Sequence, residues 1–540
     1  MLTWHRRWVS DDGYINVRVV QQLAAGNGPT FNLSERVEVG TSTLWLALVT
    51  SGHLVVPDAS VGQVMVGLGT AFMVSAMVLL GLGALHLAPS SSPLILPLGT
   101  AALAGISVFW DFGTSGLETS LTFLWIAGCL WGLSRRWARQ GEHPAPAWQP
   151  WPLTVAIGLG VLVRPDLAIV SVVFAVMLLA QSGRRLRDVL AAAGIALALP
   201  LAYEVFRMGY YASLVPNTAL AKANGSVSQG LRYVADYVLT YHLYIPAIVV
   251  LGLYAGGLAR SVSARDRGQL ALWLGPLVAS AAHASFVVYV GGDFMHGRFL
   301  LPATILALAP VAVVGGPVWV RAGTVLTLGW AVVAGLTLRP APSTMMITDE
   351  RSYYAADKSV GATTTTAGWA TDVGYVLGRA AAQDLASGAS YLAVNTPVTR
   401  ARMPTRTGVG VDILTGSLGV TSVGAGLSVT VTDTPALSDP VGSHLALPPE
   451  AHFRVGHALK PEAWAIARYG ALAPHAGNAQ VVDARAALAC GDFPELVAAV
   501  SEPLTPERFW NNVLLAPRLT FFKAPADPAQ ARAELCGSAG

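Results

Sequence analysis

The sequence predicts an α-helical polytopic membrane protein of about 10–11 membrane helices, followed by a C-terminal soluble domain of mixed α/β structure. Three observations carry that prediction. The 540 residues are 53% hydrophobic and only 12% charged, where a soluble domain carries roughly 25% charged residues. Long apolar runs fill 41–338, and from about 339 the composition turns to Thr, Gly and Pro with no spanning run. The formal net charge of +3 is small for this length. It lacks the concentrated basic face of a nucleic-acid binder, so no nucleic-acid partner is expected.

Segment 1–10 is polar and basic, contains no spanning run and does not read as a secretory signal peptide. In 13–25, Ile15, Val19 and Leu23 fall four apart, a helical stripe. This stretch is too short and polar to span. It is read as a helix lying at the membrane surface, stopped by Gly26-Asn27-Gly28-Pro29. With the polar stretch 31–38 it makes 1–40 an expected catalytic region outside the membrane. Apolar runs follow at about 41–57, 61–87, 94–110, 117–134, 151–163, 167–181, 187–205, 243–260, 269–290, 299–316 and 320–338. Lys and Arg collect on the cytoplasmic side. The clusters are Arg135-Arg136 with Arg139, Arg184-Arg185 with Arg187, and Arg260 with Arg265 and Arg267. Placing 1–40 outside, crossing at 41–57 and 61–87, and making 94–110, with its Pro93 and Pro97, re-entrant or interfacial puts every one of these clusters inside. The alternative is that 41–57 does not span. Either way the expected protein is a multi-pass plasma-membrane protein whose active face and C-terminal domain are extracytoplasmic.

Residues 339–540 are long enough for their own core. Alternation predicts strands within 408–433, and helices are expected near 369–386 and 483–500. Cys129 reads as a buried small hydrophobe. Cys490 and Cys536 pair as a disulfide if this region is extracytoplasmic; the alternative is two free thiols.

The candidate chemistry begins at Asp11-Asp12. One carboxylate could act as a general base on an attacking hydroxyl, with its neighbour raising its pKa. The competing use is an N-cap for the following helix. Asp111 and Glu118 flank a Gly-rich turn and could meet sugar hydroxyls, a metal or a cation. The plain alternative is a solvated loop. Arg164-Pro165-Asp166 interrupts two apolar runs, and its Arg could bind phosphate or simply pair with Asp166. In the loop 210–222, Asn217 suits a sugar contact and Lys222 a phosphate, while Tyr210 and Tyr211 are ordinary in an interfacial belt. Asp293, His296 and Arg298 cluster within six residues. They combine an acid, an imidazole and a guanidinium suited to a phosphate sugar, or they form a salt-bridged turn. The sequence shows no Cys/His metal array, no P-loop and no GxGxxG unit. It requires no cofactor and gives no support for a divalent metal.

Taken together these residues resemble the terminal β-(1→2)-arabinofuranosyltransferase (AftB-like) family of mycolata, within the GT-C membrane glycosyltransferases. The shared pattern is Asp11-Asp12-Gly13, Gly26-Asn27-Gly28-Pro29, Glu35-Arg36-Val37-Glu38, Gly116-Leu117-Glu118, Arg164-Pro165-Asp166, Pro216-Asn217-Thr218, Lys222 and Gly291-Gly292-Asp293-Phe294-Met295-His296-Gly297-Arg298. Asp433-Thr434, Leu437-Ser438-Asp439-Pro440 and Arg454-Val455-Gly456-His457 extend it into the C-terminal part. The resemblance implies a decaprenyl-phosphate-arabinofuranose donor and an acceptor on the arabinan of arabinogalactan or lipoarabinomannan. It also implies transfer at the extracytoplasmic face, and a C-terminal domain that holds carbohydrate. The family pattern further places a membrane helix just before the acidic pair, which 1–10 does not supply. The expected site therefore has Asp11 or Asp12 as base, with Glu118, Arg164, Asp166, Asn217, Lys222, Asp293, His296 and Arg298 binding substrate. A mannosyltransferase using the same class of donor, a lipid-linked-sugar transporter and a purely glycan-binding wall protein are the alternatives. Transporters tend to carry inverted repeats, and none is visible here.

Overall fold

The segment Val61–Leu85 is apolar almost throughout, opens on a Ser60–Gln63 capping box and forms a 25-residue helix. At 1.5 Å per residue that is about 37 Å, enough for a hydrocarbon core of roughly 30 Å. Four further helices share its length and apolarity: Leu186–Tyr211, Tyr244–Ser263, Arg267–Tyr289 and Val318–Thr337. These five make the chain a polytopic membrane protein. They appear in a computed structural model that describes residues 2–88, 94–139, 148–149, 151–182, 185–222, 225–340, 346–408, 410–448, 454–471 and 478–537.

The helix Thr119–Ala138 runs parallel to Val61–Leu85. Gly69 abuts Gly113 and Ser120, and Gly83 abuts Trp131 and Ser134, small residues that let the two backbones close up. Two parallel neighbours need a return between them. That return is 95–111: Ile95 pairs with Gly315, Gly105 meets Ala331, and Trp110 meets Gly335. It is built from the short helices Leu98–Ala104 and Ser107–Asp111, and it runs most of the length of Val318–Thr337. The expectation of a re-entrant 94–110 is therefore corrected. The segment that does not traverse is 41–57. Its helix Thr43–Val55 has 13 residues, about 20 Å. It doubles back antiparallel to the first half of Val61–Leu85, with Trp45 against Phe72 and Gly52 against Val64 and Leu68.

The basic clusters converge at one end. Arg136 bonds Ser182 at 3.1 Å, Trp137 bonds Asp266 at 3.0 Å, and Gly268 abuts Trp137. The C-terminal region sits at the other end. Its sheet runs Arg400–Met403, Tyr391–Asn395, Val411–Thr415, Thr430–Asp433, with the first pair antiparallel and the rest parallel. Strand alternation sends Leu392, Val394 and Leu414 toward Trp464 and Phe493. It sends Ala393, Val411, Ile413 and Val431 the other way, toward Ile15, Val19 and Phe31.

That second layer corrects another expectation. The helix Asp11–Ala24 does not lie on a membrane surface; most of its residues are buried, and it is shared between the bundle and the C-terminal sheet. Arg18, fully buried, donates to the carbonyls of Phe31, Ser422, Gly426 and Val429. Asn32 pairs through its amide with both backbone groups of Val431. A disulfide joins Cys490 to Cys536, with S–S 2.10 Å.

Candidate active site

A cavity of about 650 Å³ opens where the bundle meets the C-terminal region. Its charged lining is Asp12, Glu118, Arg164, Asp166, Lys222, Asp293 and Arg298, joined by Asn16, Thr41 and Thr218. Residues more than 280 positions apart thus meet in one space, and seven of the ten expected site residues line it.

Local sequence sets each of them. Ser10 caps the helix Asp11–Ala24 by accepting from Gly13, so neither aspartate is spent as the cap. The preceding segment is pinned: Arg6 pairs with Asp111 at 2.6 Å, Trp8 donates to the Asp111 carbonyl, and Ser10 N donates to Ser115 O at 3.0 Å. Asp111 is therefore a structural anchor rather than a sugar contact. Asp11 turns away from the cavity and accepts from Val420 N at 2.7 Å. Burial pushes its carboxyl up to about 7, with the Val420 and Gly419 amides opposing and the Asp12 charge adding to the rise. Asp12, one residue on, faces the cavity.

The turn at Arg164-Pro165-Asp166 is closed by a two-pronged pair, Arg164 Nε to Asp166 Oδ1 at 3.0 Å and Nη2 to Oδ2 at 3.1 Å. Glu118 lies 3.6 Å from the same guanidinium, and His283 Nε2 lies 2.8 Å from Asp166 Oδ2. Across the cavity Arg298 Nε meets Asp293 Oδ2 at 2.7 Å, while Asp293 Oδ1 accepts from Phe294 N. Both guanidiniums stack on Phe299, at 4.6 and 5.2 Å. Each arginine is thus neutralised and fixed by protein groups. Asp12 and Lys222 differ: among the described residues neither side chain has a hydrogen-bond or ion-pair partner in the fold.

The other three expected residues lie outside the lining. Asn217 donates to the carbonyls of Ala436 and Leu437 and accepts from Ser443; it ties the C-terminal region down. His296 is buried between Tyr237 and Tyr241 with Nδ1 2.5 Å from Asp236. Asp11 is the third. Sequence reasoning missed Glu350, whose buried carboxyl feels the charge of Asp12, and the turn Arg454–His457, whose Val455 and Gly456 line the cavity. Burial holds Glu350 well above the usual carboxylate range. Asp12 and Asp11 add to that, while Arg454 and Arg298 oppose it. Nothing local in sequence marks Glu350; the only signal for Arg454–His457 is its place in the family pattern. Among the described residues no group of three or more His, Cys, Asp or Glu could hold a metal ion.

The apolar helical bundle with its charged cavity is that of a membrane protein with a polar binding site, and comparison with known proteins makes it a glycosyltransferase. Residues 387–521 match the AftB family C-terminal domain. The terminal beta-(1->2)-arabinofuranosyltransferase of Mycobacterium tuberculosis is 32% identical, covering 97% of this chain and 94% of its own. That of Corynebacterium glutamicum is 36% identical over 62% of this chain and 51% of its own. The chain belongs to the terminal β-(1→2)-arabinofuranosyltransferase family. No solved structure matches it.

Proposed function

We propose that this chain transfers arabinofuranose from decaprenyl-phosphate-arabinofuranose to terminal positions of cell-wall arabinan, at the extracytoplasmic face of the plasma membrane. The observation that carries the reading is the charge ledger of the cavity. Its two arginines are held by three carboxylates, Asp166, Glu118 and Asp293, while among the described residues the Asp12 carboxylate and the Lys222 ammonium have no hydrogen-bond or ion-pair partner and are open to substrate. Asp12 takes the proton of the acceptor hydroxyl as its oxygen bonds to the anomeric carbon. The bond from that carbon to the phosphate oxygen breaks, and the electron pair stays on the phosphate, where Lys222 stabilises it. The fixed pairs around Arg164 and Arg298 supply donors that need not reorganise.

The cavity wall includes Val227 and Tyr289, both exposed apolar groups, which suits an isoprenoid chain entering from lipid. The gathering of Arg135, Arg136, Arg260, Arg265 and Arg267 toward the opposite end supports the sidedness, through the positive-inside bias. In this reading 41–338 is the membrane domain, 339–540 is the extracytoplasmic domain that holds carbohydrate, and 1–40 is the catalytic segment between them.

The test is transfer in proteoliposomes from radiolabelled decaprenyl-phosphate-arabinofuranose to an arabinan acceptor, with the mannose-bearing donor in parallel. Arabinose incorporation is expected. Incorporation of mannose alone would overturn the reading.

A further inference from the structure

The helix Arg267–Tyr289 carries a buried stripe of residues four apart: Gly275, Ala279, His283 and Val287. Gly275 abuts Met177 of the helix Ala168–Ala180. The two helices run antiparallel, so His283, two turns on, comes level with the turn Arg164-Pro165-Asp166. It is the one polar member of the stripe and is fully buried. Its Nε2 lies 2.8 Å from Asp166 Oδ2. That oxygen belongs to a carboxylate paired with Arg164, and an ionised carboxylate only accepts. Nε2 therefore carries the hydrogen and donates it. Nδ1 is buried without a hydrogen-bond partner among the described residues. A ring that only filled space would be more stable without its nitrogens, because an unpaired buried polar group is unfavourable. A titratable ring in an apolar span with a single polar partner points to that partner.

Asp166 passes the constraint to Arg164. Pro165 keeps Arg164 in extended backbone, at φ −160° and ψ 138°. Its guanidinium is then fixed on two edges and a face. Nε and Nη2 donate to the two Asp166 oxygens at 3.0 and 3.1 Å, Glu118 Oε1 lies 3.6 Å from Nε, and the plane covers Phe299 at 4.6 Å. Nη1 has no hydrogen-bond partner among the described residues. It is the edge left to meet a ligand in the cavity that Arg164 lines. His283 stands behind the cavity wall. Phe286, one turn further along the same helix, is in the lining, and its ring centre is 6.4 Å from the imidazole. His283 thus reaches the cavity only through Asp166.

We propose that His283 is a positioning residue for the transfer: by donating to Asp166 it fixes the carboxylate that holds Arg164, and so aims the open Nη1 edge of Arg164 at the phosphate end of the donor. The inference rests on the lipid-phosphate donor of the proposed function. It extends the site one residue deeper, into the membrane helix Arg267–Tyr289.

Initial rates of arabinose transfer by the full chain in proteoliposomes, with donor and acceptor varied separately, test this. His283→Phe keeps a ring and removes the donated hydrogen; His283→Gln puts an amide Nε2 where the imidazole Nε2 stood. His283→Phe is expected to melt at or above the wild-type temperature and to leave the acceptor KM unmoved. Its kcat/KM for the donor is expected to fall about 10-fold or more. His283→Gln is expected to bring donor kcat/KM back to within about 3-fold of wild type. In an Asp166→Ala background His283→Phe is expected to lower it little further, because both changes break the same link. Undiminished donor kcat/KM in His283→Phe, equal losses in His283→Phe and His283→Gln, or losses that multiply in the double variant overturn the proposal. A wild-type chain that transfers no arabinose from this donor overturns the proposed function, and this inference with it.

Discussion

Successive side chains on a helix point about 100° apart, so the two aspartates at the start of Asp11–Ala24 meet different surroundings. Asp11 meets the amide of Val420, and Asp12 meets the cavity. Asp11 is held at about 7 in the fold, against 3.8 for an unperturbed carboxyl. Below about pH 4 both folded and unfolded chains keep this proton. Between there and 7 only the folded chain keeps it, so the stability Asp11 contributes is lost as pH rises, by up to about 1.4 kcal/mol per pH unit. Asp11→Asn keeps an oxygen for Val420 N without the buried charge. Melting curves should therefore show the variant gaining on wild type from pH 5 to 8; a difference between the two that does not change over that range would contradict this. Lys222→Met removes the unmatched cation. It should weaken donor binding about 10- to 100-fold, the usual worth of a charged hydrogen bond, read as a rise in KM for the donor with the acceptor KM unmoved. The acidic pair and the lining arginines were legible in the sequence because acids and arginines beside apolar runs stand out. Which aspartate faces substrate was not, because the partner that claims Asp11 lies some 400 residues away.

Among the elements, 41–57 and 94–110 are apolar runs of equal length in the sequence, and the structure separates them by what they pack against. The first has the helix Asp11–Ala24 and the first half of Val61–Leu85 as neighbours and turns back. The second is broken into two short helices, yet it follows Val318–Thr337 and so completes a passage. A hydropathy pattern registers apolar length; it does not register a neighbouring helix that satisfies a broken one. Asn217 shows the same limit. Its residue type suits a sugar, but its place at the start of Asn217–Ala221 points it at the carbonyls of Ala436 and Leu437. Asn217→Ala strips these buried acceptors and should cost about 1–3 kcal/mol of stability, read by thermal melting, with the KM for both substrates near wild type. A raised acceptor KM at unchanged stability would return Asn217 to the substrate.

Across the whole molecule, the first forty residues and the C-terminal sheet share one core, through Ile15, Val19, Phe31, Ile413 and Val431. The segment that bears Asp12 is thus carried by the C-terminal region as much as by the bundle, and the cavity lies where all three meet. The division into an apolar bundle and a polar C-terminal part was plain from composition. Their interpenetration was not, because it rests on contacts such as Arg18 to the Ser422 and Val429 carbonyls. In the proposed reaction this assembly leaves Asp12, and not Asp11, free to take the acceptor's proton. The most direct measurement of this is arabinose transfer in proteoliposomes by Asp12→Asn and Asp11→Asn side by side, each checked for folding by melting. Loss of a positioned general base costs about 10²- to 10⁴-fold. Asp12→Asn is predicted to fall by that much while Asp11→Asn stays within a few-fold of wild type; a folded Asp12→Asn that transfers arabinose at the wild-type rate would contradict the account.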